Sequence, residues 1–485
     1  MARRPTTQKV LFAVSEMFPI VKTGGLADVA GALPGALAEL GVEVRTLLPA
    51  YPGVRDAVGG LGEWRSVGDP LGAGEARIAL GRIVETDAPV WLLDSPNLFD
   101  RPGGPYLDPN GADWPDNHLR FAQLARVAAL ICDAGDLLGW RPDILHAHDW
   151  QAGLAPAFLA FRGGRRPASV FSIHNPAFQG NFPAEVTAAV GLPPQAFAID
   201  GVEFHGKVSF LKAGIRFADR ITTVSPTYAR EILTPQGGFG FDGMLRARAA
   251  DLSGILNGID TGIWDPSTDR RIPVPYDSRT LDAKAENAKA LRTRFHLPET
   301  EGAPLIGVVS RFAEQKGIDL ILAALPEILA AGAQLVVLGS GDAALEKAFV
   351  TAARDHPQAV GVEVKYDEGL AHLVQAGADM LLVPSRFEPC GLTQICALRY
   401  GTVPVVRRTG GLADTVVDAD SPGGGTGFLF DDETAGELAR AVERAVALFR
   451  TRAKWRAMQR RAMKQDFSWK RAAGEYAELY GSLTR

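Results

Sequence analysis

The feature that most constrains the fold is an alternation of short apolar segments with longer amphipathic ones. The apolar run VLFAV (10–14) is followed by a loop and then by LADVAGALPGALAEL (26–40), whose spacing predicts a helix ending near Gly41. The next segment, VEVRTLLPAY, again has the composition of a strand. Strands that alternate with helices predict an α/β fold with parallel sheets covered by helices on both faces.

The same alternation starts again in the second half of the chain. PLIGVVSRF (304–312) predicts a strand, GIDLILAALPEILAAG (317–332) one helix stopping at Gly332, and QLVVLGSGD (334–342) a second strand. DMLLVPS and TVPVVRR predict further strands. Because 485 residues are too many for one core, the restart predicts a second doubly wound domain.

Three segments interrupt this pattern. LNGIDTGIWDPSTDRRIPVPYDSRT (256–280) has no sustained period and predicts an inter-domain linker, so we expect domains at 1–255 and 256–465. SPGGGTGFLFDD (421–432) predicts a surface loop. The tail, 466–485, has helical spacing with aromatic residues on one side, which predicts a helix docked on the protein.

Charge and cysteine content exclude several classes of protein. The formal net charge of -5 gives no sign of a nucleic-acid partner or an anionic membrane surface. No apolar run is long enough to span a bilayer. Three cysteines, an odd and small number, argue against a disulfide framework and favour a cytoplasmic location.

Two loops carry residues suited to phosphate. Lys22, Gly24 and Gly25 precede the first long helix, where glycines allow close approach and a helix N-terminus offers N–H donors; a plain turn with a solvated lysine is the alternative. Arg311 and Lys316 follow a strand of the second half, where a diphosphate would bind in an open α/β fold. Two solvated loop cations are the alternative there.

Further polar residues follow other predicted strands. Glu388 follows DMLLVP, as an acid at the site or as a capping or salt-bridging carboxylate. The HAHDW segment (146–150) and His174-Asn175 predict either substrate hydrogen bonding or a structural polar cluster; without a further nearby ligand, we expect no zinc site. Asp418-Ala419-Asp420 lies in a Pro- and Gly-rich loop, and we interpret it as unrelated to a metal-binding D-x-D.

One hexapeptide occurs twice. Thr23-Gly24-Gly25-Leu26-Ala27-Asp28 recurs as residues 409–414, each time between a predicted strand and a predicted helix. We interpret the second copy as turn chemistry shared by two similar domains.

In combination and order, these motifs resemble those of bacterial glycogen synthases and plant starch synthases over nearly the whole chain. The motifs are KTGGLADV, HAHDW, IHNPAFQG, LNGID, SRFAEQKG, SRFEPCGLTQ and RRTGGLADTV. The resemblance implies the GT-B fold, with two Rossmann-like domains facing each other across a cleft. It also implies an acceptor-side first domain, onto which the tail packs, and a nucleotide-sugar side in the second.

The resemblance assigns roles residue by residue. It implies catalytic roles for Glu388, Lys316, Arg311, Lys22 and His174. It implies donor binding by Lys22, Gly24, Gly25, Arg311, Lys316, Cys390, Gly391, Leu392 and Thr393. It implies sugar or acceptor binding by Asp28, Tyr106, His174 and Asn257, and we expect the same role for His148, Asp149 and Asn175 from their places at strand ends.

The implied activity is transfer of glucose from ADP-glucose to the non-reducing end of an α-1,4-glucan such as glycogen, with retention. Because Lys22, Arg311 and Lys316 could neutralise the leaving group, we expect no metal or other cofactor. Cys396 stands where related sucrose- and trehalose-type enzymes carry a second Glu, which favours the glycogen synthase branch. Pro176 and Phe178 depart from the family's usual residues on the acceptor side. A UDP-glucose-dependent transferase and a non-catalytic glucan-binding scaffold stay open as alternatives, and so does the oligomeric state.

Overall fold

A computed structural model describes residues 7–133 and 138–484. The chain divides into two compact units. The first unit contains residues 1–224, 229–258 and 469–485, and the second unit contains residues 225–228 and 259–468. The predicted domain limits also include residues 1–6, 134–137 and 485, which lie outside the described residues.

The first unit is built on a mixed sheet whose core is parallel. Its strands are β1 (Lys9–Ala13), β2 (Glu43–Pro49), β3 (Val58–Gly59), β4 (Arg65–Gly68), β5 (Ala76–Ile83), β6 (Pro89–Asp94), β7 (Ile144–His148), β8 (Ala168–Ile173), β9 (Asn181–Pro183), β10 (Glu203–Phe204), β11 (Lys207–Ser209), β12 (Arg220–Thr223) and β13 (Leu252–Gly254). The order is β13-β12-β8-β7-β1-β2-β6-β5-β3, with β4 on β5. Strands from β13 to β6 are parallel, and the order reverses between β1 and β7.

Helices cover this sheet, and a small antiparallel sheet β10-β11-β9 lies apart from it. The helices are α1 (Gly25–Glu39), α2 (Pro96–Phe99), α3 (Asn117–Asp133), α4 (Asp149–Ala152), α5 (Leu154–Arg162), α6 (Val186–Ala189), α7 (Phe210–Phe217), α8 (Pro226–Glu231, which begins in the second unit) and α9 (Asp242–Ala247). Residues 10–13 of β1 are completely buried, as expected for a central parallel strand covered on both faces.

The second unit has one six-stranded, wholly parallel sheet. Its strands are β14 (Leu305–Val309), β15 (Gln334–Gly339), β16 (Val360–Val364), β17 (Met380–Val383), β18 (Val403–Arg407) and β19 (Phe428–Phe430). The order β16-β15-β14-β17-β18-β19 is that of a dinucleotide-binding doubly wound sheet, and it reverses between β14 and β17. The fold class predicted from the sequence, two Rossmann-like α/β units, is confirmed.

Helices lie on the second sheet in the same way. They are α10 (Lys284–Arg294), α11 (Ile318–Ala323), α12 (Leu325–Ala330), α13 (Ala343–Asp355), α14 (Glu368–Gly377), α15 (Thr393–Arg399), α16 (Gly410–Thr415), α17 (Ala435–Phe449) and α18 (Arg452–Met463). The single helix predicted over 317–332 is wrong: it is two helices, α11 and α12. Pro326 lies in the first turn of α12, where the missing N–H costs no hydrogen bond.

Two predicted irregular segments are more ordered than expected. The predicted loop 421–432 contains β19, whose three residues are buried. The predicted linker 256–280 belongs to the second unit from Ile259 onward. It is anchored there by Asp269, whose carboxylate accepts a 2.6 Å hydrogen bond from the Tyr400 hydroxyl and lies 2.7 Å from Nδ1 of His372.

The last helix, α19 (Trp469–Leu483), returns to the first unit. It contacts α1, and Tyr476 and Tyr480 on one of its faces are buried. The Tyr480 hydroxyl lies 2.7 Å from Nδ1 of His146 in β7. Across the described part of the chain, we find no helix with the length and apolar composition needed to traverse a bilayer.

Candidate active site

In each unit, polar side chains collect at the carboxyl ends of the parallel strands, next to the point where the strand order reverses. Ligands of open α/β sheets bind at this position, because the loops on its two sides run in opposite directions and leave a crevice. In the first unit, Glu16 follows β1 and Asp149 follows β7. In the second unit, Arg311 follows β14 and Glu388 follows β17.

The second unit has a cavity of about 190 Å³ at this position. Part of its lining comes from five residues with predicted roles: Arg311, Lys316, Glu388, Gly391 and Thr393. Glu388 is the single carboxylate among the described residues of the lining. The cavity therefore combines two cations, one acid and the start of α15.

Glu388 is held by two neighbours. It is 5% exposed, and its Oε2 accepts hydrogen bonds from Nζ of Lys316 at 2.6 Å and from Oγ of Ser385 at 2.9 Å. An ion pair and a neutral donor on one oxygen offset the cost of burying the charge. The alternative of a salt-bridging carboxylate therefore describes this structure as well. Ser385 was not predicted, although it stands three residues before the acid.

Hydrogen bonds to its own carbonyl groups hold the loop that carries Glu388. Gly391 has φ +72°, a conformation that favours glycine, and its carbonyl and that of Cys390 accept hydrogen bonds from Nε2 of Gln394. Cys390 is buried, and Leu392 stands just before α15. The Arg311 side chain is exposed, and within the described ranges it has no ion-pair partner.

The second copy of the repeated hexapeptide supports this loop from behind. A Cβ on Gly410 would lie 1.9 Å from the carbonyl oxygen of Glu388, and one on Gly411 would lie 2.0 Å from that of Cys390. The Gly411 N–H donates to the Glu388 carbonyl at 3.0 Å. These glycines let α16 pack directly on the backbone of the acid-bearing loop.

The first copy has a different environment, centred on a carboxylate that was not predicted. Oε2 of Glu16 accepts hydrogen bonds from the N–H and hydroxyl of Thr23 and from the N–H of Gly24, at 2.5, 2.7 and 3.0 Å. Oε1 accepts one from the Tyr106 hydroxyl at 3.1 Å. In this structure the Gly24 N–H is therefore bonded to Glu16.

Space remains in front of this loop. A Cβ on Gly25 would meet no atom within 4 Å, and one on Gly24 would meet only Glu16, at 3.9 Å. Gly25 is the first residue of α1, so its N–H has no acceptor within the helix. Lys22 lies beside it, with its Nζ 2.7 Å from a carboxylate oxygen of Asp28.

The ends of β7 and β8 bring four further predicted residues together. Oδ1 of Asp149 accepts hydrogen bonds from the N–H groups of His174 and Asn175, at 2.7 and 3.4 Å. Nδ1 of His148 lies 3.0 Å from Nε2 of His174. Burial raises the pKa of the Asp149 carboxyl to about 7, and burial lowers the pKa of His174 to about 3.

Two other predictions concern residues outside these groups. Asn257 is buried after β13, and its Oδ1 has no hydrogen-bond partner within the described chain. Asp418 and Asp420 both pair with Arg444, so the D-x-D carboxylates are neutralised within the protein. Among residues 7–133 and 138–484, no group of three or more His, Cys, Asp or Glu side chains is arranged to hold a metal ion.

Comparison with known proteins identifies the family. The starch synthase catalytic domain model matches residues 9–247, and the model for glycosyl transferases group 1 matches residues 291–462. The chain is 54% identical to a glycogen synthase of Rhodospirillum rubrum and to one of Rhodopseudomonas palustris strain HaA2, with 98% of both chains covered in each case.

The chain belongs to the glycogen synthase and starch synthase family. It is therefore a glycosyltransferase.

Solved structures of the family's fold agree with this assignment. The catalytic domain of starch synthase IV from Arabidopsis thaliana, solved with ADP and acarbose, superposes with a TM-score of 0.87 at 33% identity, covering 99% of both chains. A sucrose-phosphate synthase from Thermosynechococcus elongatus, with 18% identity and a TM-score of 0.58, shares the fold over 98% of this chain and 99% of its own. Both are GT-B glycosyltransferases, so this chain has the GT-B fold.

Proposed function

We propose that this protein is an ADP-glucose-dependent glycogen synthase that adds glucose to the non-reducing end of an α-1,4-glucan with retention of configuration. The observation that carries the proposal is the cavity at the β14–β17 switch point, where Lys316 and Glu388 are paired beside Arg311. The starch synthase IV structure bound to ADP and acarbose supports both substrate classes.

The chemistry of the cavity suits departure of a nucleoside diphosphate. Breaking the sugar–phosphate bond develops negative charge on the phosphate and positive charge on the sugar. Lys316 and Arg311 would stabilise the diphosphate, and the Glu388 carboxylate would stabilise the oxocarbenium-like glucose. When Lys316 turns to the phosphate, Ser385 still holds Glu388 in place.

The retaining outcome rests on the family resemblance, and the number of acids bears only on how retention is achieved. Double displacement needs a nucleophilic carboxylate and an acid–base carboxyl group about 5 Å apart. The described lining of the cavity offers Glu388 alone. We therefore propose attack of the acceptor hydroxyl on the face that the diphosphate leaves, with the departing phosphate as base.

The remaining roles are part of the same proposal. Lys22 and the backbone at Gly24 and Gly25 would contact the donor's diphosphate, since the space before both glycines is open. The loop that leads into α15 would bind the donor, through Cys390, Gly391, Leu392 and Thr393. The sugar and acceptor would meet Asp28, Tyr106, Asp149, His174, Asn175 and Asn257, whereas His148 is buried behind His174.

We also propose a reaction without a metal and a cytoplasmic location. Arg311 and Lys316 supply the positive charge that a divalent cation would otherwise bring to the diphosphate. Cys132, Cys390 and Cys396 are buried, and burial raises the pKa of Cys132 to about 12. A small number of buried cysteines suits a reducing compartment.

A coupled assay of nucleoside diphosphate release tests the proposal. Wild-type protein is assayed with ADP-glucose or UDP-glucose, with and without glycogen, in buffer containing EDTA, and the new linkage is analysed by proton NMR. We expect glycogen-dependent release of ADP, a preference for ADP-glucose and α-1,4 product. A β-linked product would contradict retention, loss of activity in EDTA would contradict metal independence, and a preference for UDP-glucose would contradict the proposed donor. Glucan binding without diphosphate release would indicate a non-catalytic scaffold.

A further inference from the structure

The ring of His148 is enclosed on the first unit's sheet, directly behind His174. It is 0% exposed, and it stacks on His146 at a centroid distance of 4.1 Å and packs on Phe12 at 4.9 Å. Its Nδ1 lies 3.0 Å from Nε2 of His174. Its other nitrogen, Nε2, is buried and has no hydrogen-bond partner anywhere in the described chain.

These facts fix where the protons are. Burial lowers the pKa values of both His148 and His174, so both rings are neutral at pH 7 and each carries one proton. A proton on Nε2 of His148 would be a buried donor without an acceptor, which is costly. A bare nitrogen in the same apolar position loses only the solvation of one acceptor. The proton of His148 is therefore on Nδ1, and it is donated to Nε2 of His174.

The consequence passes to the second ring. Because Nε2 of His174 accepts this hydrogen bond, it carries no proton, and the single proton of His174 is on Nδ1. Asp149, the residue after His148, accepts the His174 backbone N–H at 2.7 Å and so fixes the position of the main chain. Two consecutive residues at the end of β7 thus control the backbone and the tautomer of one histidine at the end of β8.

We infer that His148 is a positioning residue that never touches the substrate and holds His174 as the Nδ1–H tautomer, a hydrogen-bond donor toward a sugar hydroxyl or ring oxygen. This replaces direct sugar contact by His148 with an indirect role. The inference rests on the proposed function in one respect only, namely that His174 contacts the reacting sugar; the tautomer itself does not depend on it.

The tautomer is measured directly on the wild-type protein. Long-range proton–nitrogen correlation spectra of full-length protein labelled with ¹⁵N-histidine distinguish protonated from bare ring nitrogens. The signals of His174 are assigned by their loss in His174→Gln. At pH 7 we expect a protonated Nδ1 and a bare Nε2 for His174, and the same pattern for His148. A protonated Nε2 on either ring, or an imidazolium pattern, would overturn the inference.

Three variants at position 148 separate the donor from the shape of the ring. The side-chain amide of asparagine reaches the place of Nδ1, whereas glutamine reaches the place of Nε2 and phenylalanine keeps only the ring. We expect His148→Phe and His148→Gln to lower kcat by about 10- to 100-fold. This decrease is no larger than the decrease in kcat caused by removing one preorganised hydrogen-bond donor. His148→Asn should stay within about threefold of wild type, with the KM for ADP-glucose unchanged in all three.

Failure of this inference is distinguishable from failure of the proposed function. If the wild type transfers glucose but His148→Phe matches it, or if His148→Asn is as impaired as His148→Phe, the positioning role is wrong and the function stands. If the wild type has no transferase activity, the proposed function is wrong, and the spectra still decide the tautomer. Thermal melting of each variant identifies any loss of kcat that comes from unfolding.

Discussion

Glu16 and Glu388 each follow a strand at the switch point of their sheet, but their carboxylates are held differently. Glu16 accepts two backbone N–H groups and two hydroxyls, an arrangement that fixes a loop. Glu388 is held by two side chains, those of Lys316 and Ser385, and by no backbone N–H in the described chain. At the residue scale, this difference separates an acid that fixes a loop from the acid to which we assign the proposed chemistry.

Asp149 supports a prediction about stability and pH. Its folded pKa of about 7 lies above the ordinary aspartate value of 3.8, so the folded state binds the proton more tightly than the unfolded state. This contribution to the free energy of unfolding is complete below pH 3.8 and is lost as the pH rises through 7. Between pH 5 and pH 8 it should fall by about 2–3 kcal/mol.

The measurement is urea unfolding of the wild type and Asp149→Asn at several pH values from 5 to 8. Asparagine keeps an oxygen for the two amide hydrogen bonds but does not titrate. The advantage of the wild type over the variant should therefore shrink as the pH rises. A difference that stays constant, or that grows with pH, would show that the Asp149 pKa is not raised.

The sequence predicted some of these residues and missed others for a definite reason. Arg311, Lys316 and Glu388 were found because each follows a recognisable strand, and strand ends of one parallel sheet meet at one edge. Glu16 was missed because its partners, the amides of Thr23 and Gly24, become neighbours only when the loop after β1 folds back. The burial of His148 behind His174 depends on the pairing of β7 with β8, which cannot be recognised from the pattern of apolar and polar residues.

At the scale of elements, the two copies of TGGLAD show that one hexapeptide serves two purposes. In the second copy both positions need glycine, because a side chain would collide with the backbone of the loop that carries Glu388. In the first copy the space in front of Gly25 is empty. The first copy therefore presents an open helix N-terminus, and the second supports the loop that carries Glu388.

This contrast predicts opposite effects for the same substitution. Gly411→Ala would bring a Cβ to 2.0 Å from the Cys390 carbonyl oxygen, and we expect the free energy of unfolding to fall by about 1–3 kcal/mol, together with activity. Gly25→Ala should leave the free energy of unfolding unchanged or raise it by up to about 1 kcal/mol, since alanine favours helices. Its KM for ADP-glucose should rise several-fold because the new methyl group occupies the open space.

Chemical unfolding and steady-state kinetics of the two variants check this pair. If Gly25→Ala lost stability and Gly411→Ala did not, the assignment of the copies would be reversed. If Gly25→Ala left the KM for ADP-glucose unchanged, the N-terminus of α1 would have no part in donor binding.

Element boundaries show where the sequence pattern was insufficient. The apolar period across 317–332 continues through Pro326, so one helix was expected; the break at Ala324 puts the proline in a first turn instead. Strand β19 has only three residues and follows a glycine-rich segment, so its apolar run was too short to predict a strand. Its burial comes from pairing with β18 and packing under α17.

At the scale of the whole molecule, both sheets share one plan. The parallel strands of each unit reverse their order next to the first strand of that unit, and Glu16, Asp149, Arg311 and Glu388 follow the strands at those reversals. The alternation of apolar and amphipathic segments was sufficient to predict two such units. Strand order and register were not predictable, because they depend on contacts between segments far apart in the chain.

The most direct test of the account is the turnover of ADP-glucose on glycogen by wild type, Glu388→Gln and the exposed control Glu301→Gln, with ADP affinity measured calorimetrically for each. Glutamine keeps the shape of Glu388 but removes the charge that we propose faces the sugar. We predict that kcat of Glu388→Gln falls by about 10²–10³-fold while ADP affinity and the control's activity stay at wild-type levels. If Glu388→Gln turned over ADP-glucose at the wild-type rate, this acid would not act on the departing glucose, and the proposed chemistry would be contradicted.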